Sequence, residues 1–187
     1  SCTGKIVSSD FELKGFFRNI VGFILKENQS IAIEATLNSD NVNLNELLSN
    51  KEEEGKGSKY KLKFSEFIDV NLNSEIQHLV FRKFDATNIH GVIKIKDKKM
   101  VVDPIVLNTM NGSITTSGLI DGTDSTRLLI TCFSDVNKIN VTKMFESFEN
   151  FGQTAVTDKN LKGVATAKIQ FASMLSPDVK MDLDKLY

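Results

Sequence analysis

Apolar and polar residues alternate along much of this chain, with the period of two expected of β-strands that bury one face. In residues 91–96, GVIKIK, Ile93 and Ile95 alternate with Lys94 and Lys96, giving one apolar and one solvated face. The stretches KMVVDPIVLNT (99–109), SITTSGLI (113–120) and TRLLITCF (126–133) are also rich in strand-forming residues. Turn signals fall between them at Asp97-Lys98, Asn111-Gly112 and Asp121-Gly122; Asn-Gly and Asp-Gly favour the positive φ of tight hairpins. No helical pattern separates these strands, so residues 88–133 predict an antiparallel meander rather than a parallel βαβ arrangement. Pro104, after Asp103, predicts a kink or an edge within its strand.

The N-terminal part follows the same rule. In SIAIEATLN, Ile31, Ile33, Ala35 and Leu37 share a face. Residues 61–84 hold further strand candidates, with a helical alternative from Phe67 onward. The segment KEEEGKGSK, 51–59, is charged, contains glycine and has no apolar anchor, so it reads as a flexible surface loop. It divides the chain into two expected sub-units, 1–50 and 60–187, of one β-rich region.

A different pattern interrupts the alternation three times: VNLNELL at 42–48, INVTKMF at 139–145 and MDLDKLY at 181–187. In the middle copy Asn140 is placed to cap a helix, and Ile139 and Met144 are spaced as a hydrophobic staple. That helix is expected to run through Phe148 and Phe151 and to stop at Gly152. Asn43 with Glu46 repeats the scheme as a capping box, and Asp182 repeats it with an acidic cap. Asn88–Val92 and Asn160–Val164 also echo one another, each placed to open a strand. Diverged strand–helix repeats follow as an expectation, each helix closing the end of a sheet.

Composition narrows the function. The 187 residues include 23 basic and 24 acidic side chains, for a net charge of −1, so no global positive field is available to hold nucleic acid. The two cysteines, Cys2 and Cys132, make neither a disulfide framework nor a metal cluster. Cys132 reads as a small buried hydrophobe; Cys2 fits either a lipid-modified residue at a mature N-terminus or an exposed residue. The most apolar window, FFRNIVGFIL at 16–25, is too short to span a bilayer. The chain starts at Ser1 without methionine and ends inside a repeated phrase, so it reads as an excerpt of a longer protein.

Little chemistry is encoded. His78 and His90 fall on neighbouring predicted strands with Asp85 between them, a weak metal pair without a third ligand of matching spacing. No nucleophile elbow, phosphate loop or Cys–His motif is present. Catalytic residues, metal ligands and cofactors are therefore expected to be none, and the chain is expected not to be an enzyme. Binding something apolar, scaffolding, or an ordinary packed core all remain compatible with the residues.

The ordered set FDATNIHGVIKIKDKKMVVDPIVLNTMNGSITTSGLIDG, LLITCFSDVNKINVTKMFESFENFGQ and DKNLKGVATAKIQF resembles the C-terminal region of AsmA-like proteins. The likeness covers residues 80–187 and, more loosely, 11–50. Asp97-Lys98-Lys99 departs from it, since a glycine is usual in that hairpin. The resemblance implies a mainly β fold with some α, a curved antiparallel sheet with short helices at its ends. It implies a periplasmic module of a Gram-negative envelope protein whose parent is anchored in the inner membrane. Its role there is phospholipid transport or outer-membrane homeostasis through an apolar β-groove. The expected partners are phospholipid or another lipid, the rest of the parent chain and envelope proteins, with no nucleic acid. Individual lipid-binding residues do not follow from it. The competing expectation is a structural or protein-interaction β-module that binds no lipid of its own.

Overall fold

The computed structural model describes residues 1–49, 64–175 and 181–186. The expected loop at 51–59 lies outside them. The chain is mainly β, a curved open sheet with few short helices. Its strands are β1 (Cys2–Ile6), β2 (Ser9–Arg18), β3 (Ile31–Ser39), β4 (Val42–Asn43), β5 (Ile68–Phe81), β6 (Phe84–Lys96), β7 (Lys99–Thr109), β8 (Gly112–Asp121), β9 (Leu128–Asn140), β10 (Val164–Leu175) and β11 (Met181–Leu186). The helices are α1 (Ile20–Leu25), α2 (Leu44–Ser49) and α3 (Val141–Ser147).

Strand order across the sheet follows the chain, apart from the short β4, which pairs with the end of β5. Neighbours are antiparallel except that β3 and β4 run parallel to β5. The strands on both sides of residues 50–63 thus belong to one sheet. β5 is a strand throughout, so the helical alternative from Phe67 is not taken. The sheet has two rims. The upper carries the β5–β6 and β7–β8 turns and the starts of α2 and α3; the lower carries the β6–β7 turn, the β8–β9 loop and α1.

Alternation sets the register. Ile33, Val70, Ile95 and Met100 lie directly across from one another on successive strands, as do Leu37, Ser74 and Gly91. Three irregularities keep apolar side chains on one side. Asn88 (φ 52) and Lys138 (φ 53) adopt left-handed backbone inside their strands. Beyond these residues the pairing shifts, and Ala86 and Ile89, or Val136 and Ile139, are buried three positions apart instead of two. The register also slips across Asp103 and Pro104, the kink anticipated there.

Two turns differ from expectation. The β7–β8 hairpin turns on Met110 (φ 48) and Asn111 (φ 62), one residue earlier than Asn111-Gly112. Tertiary contacts explain the shift: Met110 is buried with Val136 and Ile139, and its carbonyl accepts from Asn140 N at 2.8 Å. Gly112 serves close approach instead, since a Cβ there would lie 2.4 Å from the Asn137 carbonyl oxygen. Asp121-Gly122 begins a longer loop held by Asx turns; Asp121 Oδ1 accepts from Thr123 N at 3.0 Å, and Asp124 Oδ1 from Thr126 N at 2.8 Å.

The repeated phrase starts a helix twice. Asn140 Oδ1 accepts from Lys143 N at 2.9 Å, and Met144 packs over Met110, Val136 and Ile139. Asn43 Oδ1 accepts from Asn45 N at 3.1 Å. The Glu46 carboxylate takes the backbone N–H and hydroxyl of Ser8 and also a side-chain hydrogen bond from Asn43. The third copy is β11, antiparallel to β10, not a helix. Met181 to Asp184 alternate apolar and acidic as a strand does, and the edge of β10 offers backbone groups to pair. α3 also ends earlier than predicted, because Glu149, Asn150 and Phe151 have positive φ. Nor do the two Asn-x-x-Gly echoes match: Asn88 sits inside β6, whereas Asn160 precedes β10.

Candidate functional site

One face of the sheet is apolar from β2 to β10. On it lie Leu13 and Phe17 of β2, Ile31 and Ile33 of β3, Val70 and Leu72 of β5, and Ile93 and Ile95 of β6. The face continues through Met100 and Val102, Ile114 and Ile120, Ile130 and Val136, and Ile169 and Phe171. The other face carries Glu12, Lys14, Glu34, Asn71, Glu75, Lys94, Asp103, Asp135 and Lys168. Its charges pair in part across strands, as in Lys94–Asp103 at 3.3 Å and Lys96–Asp69 at 3.2 Å. Such exposed pairs contribute little stability. This face carries the sheet's charges, with Phe16, Val101 and Phe133 exposed among them.

No second layer covers the apolar face among the described residues. Each strand makes its extensive contacts with adjacent strands only, and the helices touch the strand next to them. Most of the face's side chains are consequently only half buried; the buried hydrophobics are few, including Ile31, Ala86, Ile89, Leu128 and the cluster Met110, Val136 and Ile139 beneath α3. An amphipathic sheet usually buries its apolar face against another element. Here that face is left as an open surface.

Small residues on the same face permit close approach between strands. A Cβ on Gly91 would lie 2.5 Å from the Pro104 carbonyl oxygen, and one on Gly118 2.4 Å from that of Thr131. Glycine at such positions marks sharp bending of a sheet. Among the face's polar atoms, the hydroxyls of Thr116 and Ser134 and the Cys132 thiol bond to one another. Thr116 Oγ1 lies 2.8 Å from Ser134 Oγ and 3.4 Å from Cys132 Sγ. Cys132 is partly buried in that group, and Cys2 is exposed. Ser74 Oγ and Ser173 Oγ are buried without a hydrogen-bond partner.

The histidines do not come together. His78 Nε2 lies 3.0 Å from Asp85 Oδ2 and its Nδ1 3.0 Å from Asn41 Oδ1, tying the β3–β4 connection to the β5–β6 hairpin. His90 stands instead across from Glu75. No group of three potential metal ligands occurs among the described residues. A cleft of about 920 Å³ at the upper rim is lined by both charge signs: Lys83 and Lys143 with Asp85, Glu146 and Asp158. None of these side chains is buried and unpaired, so the cleft reads as wet surface.

Alternation was legible strand by strand, whereas one joined apolar surface was expected only as what the resemblance implies. Sequence reasoning tested residues 16–25 only as a membrane span. Their mixture of strand-end and helix residues with hardly a polar side chain was the available signal of an exposed apolar tip. Comparisons with protein-family models, with characterised proteins and with solved structures give no significant match to this chain.

Proposed function

We propose that this chain is a non-catalytic lipid-binding module, a piece of an AsmA-like periplasmic envelope protein concerned with phospholipid transport or outer-membrane homeostasis. The observation that supports it is the uncharged apolar face running across β2 to β10, which no second layer covers among the described residues. A curved face of that kind shields acyl chains and leaves headgroups in water. At about 0.8 kcal/mol per buried methylene, a sixteen-carbon chain half shielded by the face gains on the order of 6 kcal/mol. Two such chains would hold a phospholipid through purification. The paired strand–helix junctions capped by Asn43 and Asn140 support a diverged repeat, with two helices on the same rim.

The test is lipid analysis of the purified chain, with photo-crosslinking from position 93. The reading expects extractable phospholipid and a lipid adduct at Ile93. It also expects Val102→Glu to lose most of the lipid while the fold persists by circular dichroism. A lipid-free protein with no adduct would sink it. The alternative is a structural module that pairs through its edges. It draws on the pairing of β1 and β11, each of which pairs on one side only among the described residues.

A further inference from the structure

The connection from β2 to β3 holds apolar side chains away from the sheet. Asn19 enters it with left-handed backbone (φ 61), and its Nδ2 donates to the Ser30 carbonyl at 2.8 Å, closing the base. Above that base stands α1, IVGFIL, which has no polar side chain and no buried residue. Val21 is 65% exposed, Ile24 69% and Leu25 75%, and Phe16 on the adjoining strand is 75% exposed. A helix serving the protein's own core would turn a stripe inward. This one is apolar all round and faces out, and contiguous exposed apolar surface of such extent marks an interaction site.

We propose that α1 inserts into the surface of a lipid bilayer and docks the lower rim of the sheet there. Shape favours a bilayer over a second copy of the chain. A six-residue helix is about 9 Å long. Two such convex tips meeting would each bury one side only, short of the roughly 800 Å² per partner that a stable interface needs. Fluid acyl chains close around a tip from every side. The flanking charges balance, Arg18 paired with Glu34 and Lys26 followed by Glu27, so insertion rests on the apolar tip, with the long basic stems free to lie along the interface. The tip also continues the apolar face, since Phe17 lies across from Ile33 at its foot. No helix among the described residues is long enough to cross the membrane, so docking is interfacial.

The absence of tryptophan supplies the experiment. Ile24→Trp places a single reporter on the tip, and Val21→Trp a second in case the first perturbs folding. With vesicles of phosphatidylcholine and phosphatidylglycerol, emission should shift to the blue and be quenched by brominated acyl chains. The double change Ile24→Asp, Leu25→Asp should lower vesicle co-sedimentation more than about tenfold, given the cost of carrying carboxylates into the acyl region. Emission that stays at its solvent position with vesicles would overturn the proposal. So would a blue shift that depends on protein concentration without vesicles, which would identify a second copy as the occupant. Docking and groove binding separate cleanly: Val102→Glu should leave vesicle docking unchanged, and the Asp pair should leave co-purified lipid unchanged.

Discussion

Asp121 shows how much of a loop can rest on one carboxylate. Its oxygens accept from the backbone and hydroxyl of Thr123 and face Lys99 Nζ at 3.1 Å; led by the Thr123 hydroxyl, these hold its pKa down to about 2 from an ordinary 3.8. Asp124 is lowered in the same way, chiefly by the Thr126 hydroxyl. The sign follows from linkage: a depressed carboxyl contributes stability in full above its unfolded value, and that contribution disappears as pH falls from about 4 to about 2. Carboxyl chemical shifts should therefore put the Asp121 midpoint near 2, and Asp121→Asn should flatten the acid limb of the thermal-stability profile. An Asp121 midpoint at its ordinary value would contradict the geometry. The apolar face makes a second residue-scale prediction. Ser74→Ala removes a buried, unpartnered hydroxyl and should be neutral or stabilising by up to about 1 kcal/mol in urea denaturation. Gly91→Ala forces a Cβ against the Pro104 carbonyl and should destabilise by about 1–3 kcal/mol in the same assay. Residues of this kind were hard to read in advance. Asn111-Gly112 carries an unambiguous turn signal, yet the burial of Met110 moves the turn by one position.

Among elements, the helix starts were the most legible, because a cap and a staple are local. Asn140→Ala should cost about 1 kcal/mol by removing the acceptor for Lys143 N. Ile139→Ala should cost about 2–5 kcal/mol, since Ile139 is only 1% exposed under α3. Chemical denaturation of the two variants would check both, and a larger loss at Asn140 than at Ile139 would reverse the argued order. Element identity was less secure where two periods fit one stretch. The segment 181–186 carries a cap signal together with alternation over its first four residues, and pairing with β10 selects the strand. Where α3 ends was equally beyond local reading: its phenylalanine spacing continues past Ser147, but the backbone turns left-handed at Glu149. Phe148 and Phe151 nevertheless stack at 5.4 Å, so the apolar cluster outlasts the helix.

At the scale of the molecule, the chain's alternation conveyed an antiparallel meander, but that no second layer covers the sheet among the described residues is a property of the assembled sheet. An apolar strand face reads the same whether it meets a partner sheet or open space, so Ile93 and Val102 gave no warning that they would be half exposed. The parallel β3–β5 pair was also invisible, because it depends on a connection through residues 40–67 rather than on either strand. This architecture has a mechanical consequence. With extensive contacts only between sheet neighbours, stability approximates a sum of strand–strand interfaces, as in solenoids, and not one shared core. Opening should then be graded. Native-state hydrogen exchange should find the slowest amides in β6 to β9, which pair on both sides and lie nearest the Met110–Val136–Ile139 cluster. Protection should fall toward β1 and β11, each paired on one side only. A single opening free energy shared by central and edge strands would mean that something covers the apolar face and binds the sheet into one cooperative unit. Lipid in the groove would do that. On the proposed lipid-binding reading the comparison is sharpest when made twice, on protein as purified and after delipidation, with the gradient expected to steepen after delipidation.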